Sequence, residues 1–205
     1  MYLCVFGLVP GWYWCLGPRQ PQNLNTFVER PVIDGRMLFW LAALYQVPGM
    51  LYYSDDDWSS LCNFRYGCQH ASRINDSSLV SMSPMSVQNH IFNPGTKLYT
   101  GDANGDGFLM YPGTGGPVAS IRLKAIRDGI EDWHIFQELR QHLSDSEVDR
   151  LLRTVTDTRT NASTAMFPRD PVALAQARRA AGTWLRDAQR AGLKSDDTSV
   201  DLITL

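Results

Sequence analysis

An α/β fold with a parallel, helix-covered sheet is the fold class that the sequence predicts, and three stretches within residues 11–54 predict it. Residues 11–16 are a short run of apolar and aromatic residues. Residues 31–47 have apolar side chains at helical spacing, and residues 49–54 are again continuously apolar. A strand, a helix and a second apolar strand are typical of a βαβ unit, whose parallel strands are buried on both faces.

The helix over residues 31–47 is indicated by its beginning and its end. Pro31 suits the first turn of a helix, and Val47-Pro48-Gly49 ends it. Its apolar face is formed by Met37, Leu38, Leu41, Leu44 and Tyr45. A further apolar run at residues 2–9 precedes Pro10-Gly11, so we expect another buried strand there.

The second half of the chain is predicted to be mainly helical after a long loop. Residues 59–106 are polar and without periodicity, which indicates a functional loop or an insertion. Phe108–Tyr111 is a short apolar strand, and Ser120 has the character of an N-cap for the strongest helix. Two more helices are expected at residues 146–156 and 170–191. The apolar positions of the strongest helix are Ile121, Ile126, Ile130, Trp133, Leu139 and Leu143.

The composition excludes several classes of partner. Charged residues make up 20% of the chain and the net charge is -2, so no basic surface for nucleic acid or anionic membranes is expected. No apolar run is long enough to span a bilayer. The four cysteines include no CxxC pair and no His at metal-ligand spacing, so no zinc site is predicted. Neutral small molecules or sugars are the favoured ligands.

No cofactor or metal site is predicted. The run from Asp102 to Gly107 resembles the beginning of a calcium loop, but its twelfth position is Gly113 instead of a bidentate Glu. A tight turn is therefore favoured. The histidines have no Ser or Cys partner in a nucleophile motif, and no glycine-rich loop ends in Lys-Ser or Lys-Thr.

Three motifs follow one another in a fixed order. The first is Gly-Trp-Tyr-Trp-Cys-Leu-Gly-Pro at residues 11–18. The second runs from Arg-Met-Leu-Phe-Trp to Val-Pro-Gly-Met-Leu-Tyr-Tyr-Ser within residues 36–54. The third, within residues 105–133, joins Gly-Asp-Gly-Phe-Leu-Met-Tyr-Pro-Gly to Ser-Ile-Arg-Leu-Lys-Ala-Ile-Arg-Asp-Gly-Ile-Glu-Asp-Trp. Together they resemble the C-terminal section of the glycoside hydrolase family 123 catalytic domain, over residues 11–143.

The resemblance implies a (β/α)8 TIM barrel, of which the chain supplies the last two strands and the closing helix. We therefore divide the chain into a barrel portion at residues 1–145 and a C-terminal helical extension at residues 146–205. Active sites of such barrels lie at the C-terminal ends of the strands. Cys15–Pro18 and Tyr52–Trp58 are then expected to line the sugar site.

The activity that the resemblance implies is the hydrolysis of terminal N-acetyl-β-hexosaminides, of the N-acetylgalactosamine type, by substrate assistance. The sugar's acetamide oxygen attacks the anomeric carbon, an Asp orients the acetamide, and an adjacent Glu protonates the leaving oxygen. The 205 residues contain no Asp-Glu dipeptide, so no catalytic residue is predicted in this chain. We expect a fragment whose partners are an N-acetylhexosamine-containing glycan and an N-terminal barrel half. The alternative is an inactive remnant or a sugar-binding module.

Four candidate sugar-binding residues lie near the predicted strand ends, and each has a structural alternative. Tyr53 suits stacking on a sugar ring, with core packing as an equally weighted alternative. Asp55 is suited to accept hydrogen bonds from sugar hydroxyls, or it is simply a solvated carboxylate. Trp58 is a subsite wall or the lid of a loop. Trp14 belongs to an aromatic cluster that suits stacking, although most aromatic side chains build the core.

Two arginines in the motifs are further candidates. Arg36 is a candidate to contact the substrate, and Arg122, in the last motif, is a second candidate. For both, the structural interpretation is favoured, in which the arginine pairs with a carboxylate such as Asp128 or Glu131 and fixes a loop.

The resemblance suggests a secreted or periplasmic protein. The first ten residues are apolar but lack a basic region, and Trp12 to Trp14 stand where a small-residue cleavage site would be. No signal peptide is therefore predicted in this sequence.

Overall fold

The structure is a computed structural model of the chain, and it describes residues 2–6, 9–14, 24–52, 54–55, 105–111, 116–156 and 170–192. Three strands form one sheet in the order β1-β2-β3. They are β1 (Tyr2–Phe6), β2 (Val9–Trp14) and β3 (Met50–Tyr52). β2 and β3 run parallel, with Trp14 beside Tyr52, and helix α1 (Ile33–Leu44) lies between them in the chain. The predicted βαβ unit is therefore confirmed.

β1 differs from the expectation of a parallel sheet. It pairs antiparallel with β2, and Phe6 lies directly opposite Val9. Residues 7 and 8 alone connect the two strands, whereas a parallel pair needs a crossover of about a dozen residues or more. The prediction of a parallel sheet is therefore correct for β2 and β3 and wrong for β1.

α1 is the central element of the core and is buried on almost all sides. It begins at Ile33 and ends at Leu44, inside the predicted range of residues 31–47. Tyr45, which was expected on the apolar face, is 57% exposed because it follows the last helical residue. The buried apolar residues of α1 are Met37, Leu38, Phe39, Trp40, Leu41, Ala42, Ala43 and Leu44.

Helix α2 (Ile121–Leu139) begins at the predicted cap. The Ser120 hydroxyl accepts a hydrogen bond from the Leu123 amide at 3.2 Å, which satisfies one of the free donors of the first turn. α2 packs along α1, and the two backbones come close together at Gly129. A Cβ atom at this glycine would lie 2.6 Å from Cδ2 of Phe39, so the close approach depends on the missing side chain.

The buried face of α2 includes only some of its periodic apolar residues. Ile121 and Ile130 are 63% and 40% exposed, whereas Arg122 and Asp132 are buried. The buried residues of this helix are Arg122, Ala125, Ile126, Gly129, Asp132, Phe136 and Leu139. Two buried positions of this helix instead hold charged side chains, which have partners in other elements.

Helices α3 (Asp145–Arg153) and α4 (Pro171–Ala191) complete the core. α3 packs on α1, and α4 packs on α2. Their contribution to the buried apolar cluster consists of Val148, Leu151, Leu152, Leu174, Ala177 and Ala181. The division of the chain at residue 145 stays a prediction. No helix among the described residues combines the length and apolar character needed to cross a bilayer.

Two short strands precede α2. β4 (Met110–Tyr111) lies within the predicted strand at residues 108–111 and pairs antiparallel with β5 (Val118–Ala119). The predicted loop at residues 59–106 lies almost entirely outside the described residues. The described strands therefore form one three-stranded and one two-stranded sheet, in a mixed α/β fold, and the barrel portion stays a prediction.

Candidate functional site

Arg122 connects three separate segments near the end of β3. Its side chain is buried, and its Nη1 atom donates to the main-chain oxygens of Thr26 at 2.8 Å and Gly105 at 2.7 Å. Its Nη2 atom donates to the main-chain oxygen of Phe108 and, at 3.2 Å, to the Tyr111 hydroxyl. We call these five residues the Arg122 cluster. The arginine thus fixes the segment after β2 and the turn before β4, through backbone carbonyls and not through the carboxylates considered from the sequence.

The turn at residues 105–107 depends on glycine. Gly105 has a φ of +75°, and a Cβ atom there would lie 2.7 Å from Cγ2 of Val28 and 2.8 Å from Nη1 of Arg122. Any side chain would therefore separate Arg122 from the carbonyl that it binds. The predicted tight turn is confirmed at this position.

Tyr52, the last residue of β3, binds this turn through its hydroxyl. The hydroxyl donates to Oδ1 of Asp106 at 2.7 Å and accepts from the amide of Gly107 at 2.5 Å. Burial raises the pKa of Tyr52 above its usual value, and the nearby negative charge of Asp106 raises this pKa further. The phenol is therefore protonated at neutral pH and remains a hydrogen-bond donor.

Asp55 also binds this turn, through its main chain. Its main-chain oxygen accepts hydrogen bonds from the amides of Leu109 at 2.8 Å and Met110 at 2.9 Å. Its side chain is exposed to solvent. The backbone of Asp55 is thus tied to the turn while its carboxylate remains available to a ligand.

A cavity of about 530 Å³ lies between β3, α1 and α2, and both Trp14 and Asp55 line it. The Trp14 indole stacks on Tyr52 with ring centroids 5.1 Å apart and an angle of 13° between the planes. Nε1 of Trp14 is buried and has no hydrogen-bond partner among the described residues. The walls also include Phe39, Ala42, Met50, Leu109, Leu123, Ile126, Ile130 and Trp133, with Ser54 and His134 as polar residues.

Such a cavity can hold a ligand that combines apolar faces with hydrogen-bonding groups. Its volume is within the range of about 300–1,000 Å³ that is usual for small-molecule sites. Aromatic side chains offer flat apolar surfaces, the Trp14 indole N–H is a donor without a partner among the described residues, and the Asp55 carboxylate offers acceptors. A pyranose ring carries both kinds of surface.

Arg36 lies away from this cavity, in a second buried charge cluster. Its guanidinium donates to both oxygens of Asp132, at 2.6 Å from Nε and 3.0 Å from Nη2. This hydrogen bond is the main reason that the pKa of Arg36 is raised. Asp132 also accepts from Nε1 of Trp40 at 2.7 Å and from Nε of Arg178 at 2.6 Å. We call Asp132, Arg36, Trp40 and Arg178 the Asp132 cluster; the sequence suggested Asp128 or Glu131 as partners instead.

The remaining sequence candidates and the missed residues can now be placed. Tyr53, Trp58 and the segment Cys15–Pro18 lie outside the described residues. Tyr52 begins the range Tyr52–Trp58 that was expected to line the sugar site, and it does line the cavity. Asp106 was not singled out as a site residue. Among the described residues no group of three His, Cys, Asp or Glu side chains could hold a metal ion.

Comparison with known proteins identifies a family. The family model described as "Glycoside hydrolase 123, catalytic domain" matches residues 7–139, which is well over half of the chain. No curated protein matches the chain. The matched range contains β2, α1, β3 and α2, and with them both the cavity and the Arg122 cluster.

Proposed function

Because the chain belongs to the glycoside hydrolase 123 catalytic-domain family, we propose that it forms the sugar-binding wall of a glycosidase active site. One observation carries this proposal: Trp14 and Asp55 line the same cavity, and Asp55 follows the C-terminal end of a parallel strand. Barrel enzymes hold their substrates at that end of the strands. In the proposed (β/α)8 barrel, β2 and β3 would be the last two strands and α2 the closing helix.

In the proposed complex the sugar occupies the Asp55 end of the cavity. The Asp55 carboxylate accepts hydrogen bonds from sugar hydroxyls, which are stronger than those to neutral acceptors. Trp14 contributes its buried indole N–H, which binds an acceptor oxygen of the ligand. Tyr53 and Trp58 are proposed to contact the same sugar. Contact between Arg36 and the substrate requires a substrate that extends to the Asp132 cluster.

The proposed substrate class is a terminal N-acetyl-β-hexosaminide of the N-acetylgalactosamine type. In the substrate-assisted reaction the acetamide oxygen forms a bond to the anomeric carbon as the glycosidic bond breaks, and a carboxylic acid protonates the leaving oxygen. Water then opens the cyclic intermediate. The acid and its neighbouring Asp would come from a polypeptide segment outside these 205 residues, because they contain no Asp-Glu dipeptide.

Sugar binding is the direct test of this proposal. We expect the chain to bind N-acetylgalactosamine in a calorimetric or NMR titration, and we expect Asp55→Asn and Trp14→Phe each to weaken binding by about tenfold, the equivalent of one hydrogen bond to a charged or buried group. Asp128→Asn is the matched control, since it removes the same charge from a residue that does not line the cavity. Equal affinity of all four proteins would contradict the proposed site.

A catalytically inactive sugar-binding remnant is the second candidate, and the absence of an Asp-Glu dipeptide favours it. The two candidates differ in one assay. The chain would be produced together with an N-terminal barrel portion from the same family and incubated with a chromogenic N-acetyl-β-galactosaminide. Release of the chromophore supports the glycosidase, whereas sugar binding without release supports the remnant.

A further inference from the structure

We propose that Tyr52 is a positioning residue, whose hydroxyl holds the end of β3 on the 105–110 turn and thereby fixes the direction of the Asp55 carboxylate. This inference rests on the proposed sugar site, since it concerns how that site is kept in place. The range Tyr52–Trp58 was expected to line the sugar site, and the present inference concerns the Tyr52 hydroxyl, which binds the protein itself. Its contribution comes from hydrogen bonds to the protein and acts on the ligand through Asp55.

A closed ring of contacts joins Tyr52 to Asp55. The hydroxyl of Tyr52 binds Asp106 and Gly107, and two residues later in the turn the amides of Leu109 and Met110 bind the main-chain oxygen of Asp55. Tyr52 and Asp55, three residues apart in the chain, are therefore both attached to the turn. A shift of the turn relative to β3 would move Asp55 with it.

The turn itself is fixed to the rest of the fold on its far side. Arg122 binds the main-chain oxygens of Gly105 and Phe108, and the amide of Ser120 binds the main-chain oxygen of Leu109 at 2.9 Å. These contacts hold the turn on α2. The Tyr52 hydroxyl is the side-chain contact that connects this assembly to β3, so its loss would release one end of the ring while the other bonds remain.

The Tyr52 ring also forms part of the cavity wall. It stacks on Trp14, and both residues line the cavity together with Asp55. The Tyr52 side chain thus contacts the aromatic wall through its ring and the turn through its hydroxyl, and the turn also binds Asp55. Sites of this kind require their groups to be held within about 0.5 Å and 10–20° of the productive geometry.

Tyr52→Phe tests the inference because it removes only the hydroxyl and keeps the stacked ring. We expect faster hydrogen exchange at the amides of Gly107, Leu109 and Met110, and an affinity for N-acetylgalactosamine that is weaker by about tenfold. Tyr45→Phe removes a hydroxyl from an exposed tyrosine, and we expect neither change there. Val148→Ala lowers stability from a fully buried position in α3, and we expect it to leave the sugar affinity unchanged.

The outcomes distinguish a failure of the positioning role of Tyr52 from a failure of the proposed sugar site. Faster exchange with unchanged affinity in Tyr52→Phe would overturn the positioning role, and unchanged exchange would overturn the ring of contacts itself. Weaker sugar binding in Val148→Ala as well would show a general effect of stability and would also overturn the role. If the unaltered chain does not bind the sugar, the proposed function fails first and the positioning role fails with it.

Discussion

α2 carries two buried charges that are used in opposite ways. Arg122, near its N-terminus, donates to main-chain oxygens of segments that lie between regular elements. Asp132, near its middle, accepts from side chains of α1 and α4. The first arrangement orders loops around the cavity, and the second holds helices together through residues that do not line it. α2 thus organises the proposed site through the cation Arg122 and the helical scaffold through the anion Asp132.

Removal of the anion should have the largest effect on stability. Asp132→Ala leaves the buried indole N–H of Trp40 and the guanidinium groups of Arg36 and Arg178 without their acceptor. Breaking a buried ion pair on one side costs about 3–5 kcal/mol, and we expect the lower part of this range because both arginines reach solvent in part. The free energy of unfolding in urea measures the effect.

Two results would decide whether Asp132 belongs to the scaffold. Asp128→Ala is the matched control on the same helix, since its carboxylate pairs with the exposed Arg127, and little change is expected. In a folded Asp132→Ala protein the affinity for N-acetylgalactosamine should equal that of the unaltered chain. A loss of affinity in Asp132→Ala would mean that the Asp132 cluster also supports the sugar site, as the Arg122 cluster is proposed to do.

Removal of the cation should affect both stability and the site. Arg122→Met keeps much of the apolar length of the side chain but leaves the carbonyls of Thr26, Gly105 and Phe108 without their donor. We expect a loss of about 2–3 kcal/mol, since water can replace part of these bonds at the loops. Unlike Asp132→Ala, this change should also weaken sugar binding. Arg127→Met, at an exposed position of the same helix, should change neither property.

A change in the packing of α2 on α1, between the two clusters, should have a smaller effect on stability. Gly129→Ala places a methyl group 2.6 Å from Cδ2 of Phe39 and 2.9 Å from the main-chain oxygen of Arg36. We expect a loss of about 1–3 kcal/mol from this overlap, although alanine favours the helix. Gly182→Ala in α4 is the matched change with no atom within 4 Å, and it should stabilise the protein by about 0.5–1 kcal/mol. A stabilising Gly129→Ala would mean that α1 and α2 can separate without cost.

The sequence predicts local features of this fold more successfully than long-range ones. The cap at Ser120 and the βαβ unit around α1 are confirmed, because a cap and a helical period depend on residues that are neighbours in the chain. The buried face of α2 follows only in part from apolar spacing: Ile126 and Leu139 are buried, but Ile121 and Ile130 are exposed. Charged side chains become buried only where partners from other elements meet them.

The candidate site shows the same division. The family motifs indicate the segments that form the cavity, and Trp14 and Asp55 are found to line it. The contacts of Arg122 with Thr26 and Gly105 join positions that are far apart in sequence, so no spacing rule predicts them. Tyr52 falls within the expected range Tyr52–Trp58, but only the fold shows that its hydroxyl binds the turn.

The smallest expected effect is on the free energy of unfolding at alkaline pH, to which Tyr52 in the site region should contribute. The raised pKa of Tyr52, caused first by burial and then by Asp106, means that the folded state keeps this phenol protonated where the unfolded chain, with a pKa of about 10, releases the proton. The contribution of Tyr52 is therefore fully present below pH 10 and decreases as the pH rises above 10, by up to about 1.4 kcal/mol per pH unit.

Urea unfolding at a series of pH values between 9 and 11 measures this slope. Tyr52→Phe removes the titrating group, so its free energy of unfolding should fall less steeply above pH 10 than that of the unaltered chain. Tyr45→Phe is the matched tyrosine control: it leaves Tyr52 with its burial and its hydrogen bonds, so the slope that Tyr52 causes should remain. Identical slopes for all three proteins would mean that Tyr52 ionises in the folded state as it does in the unfolded chain, and the site region would then lack the buried, protonated donor that sets it apart from the scaffold.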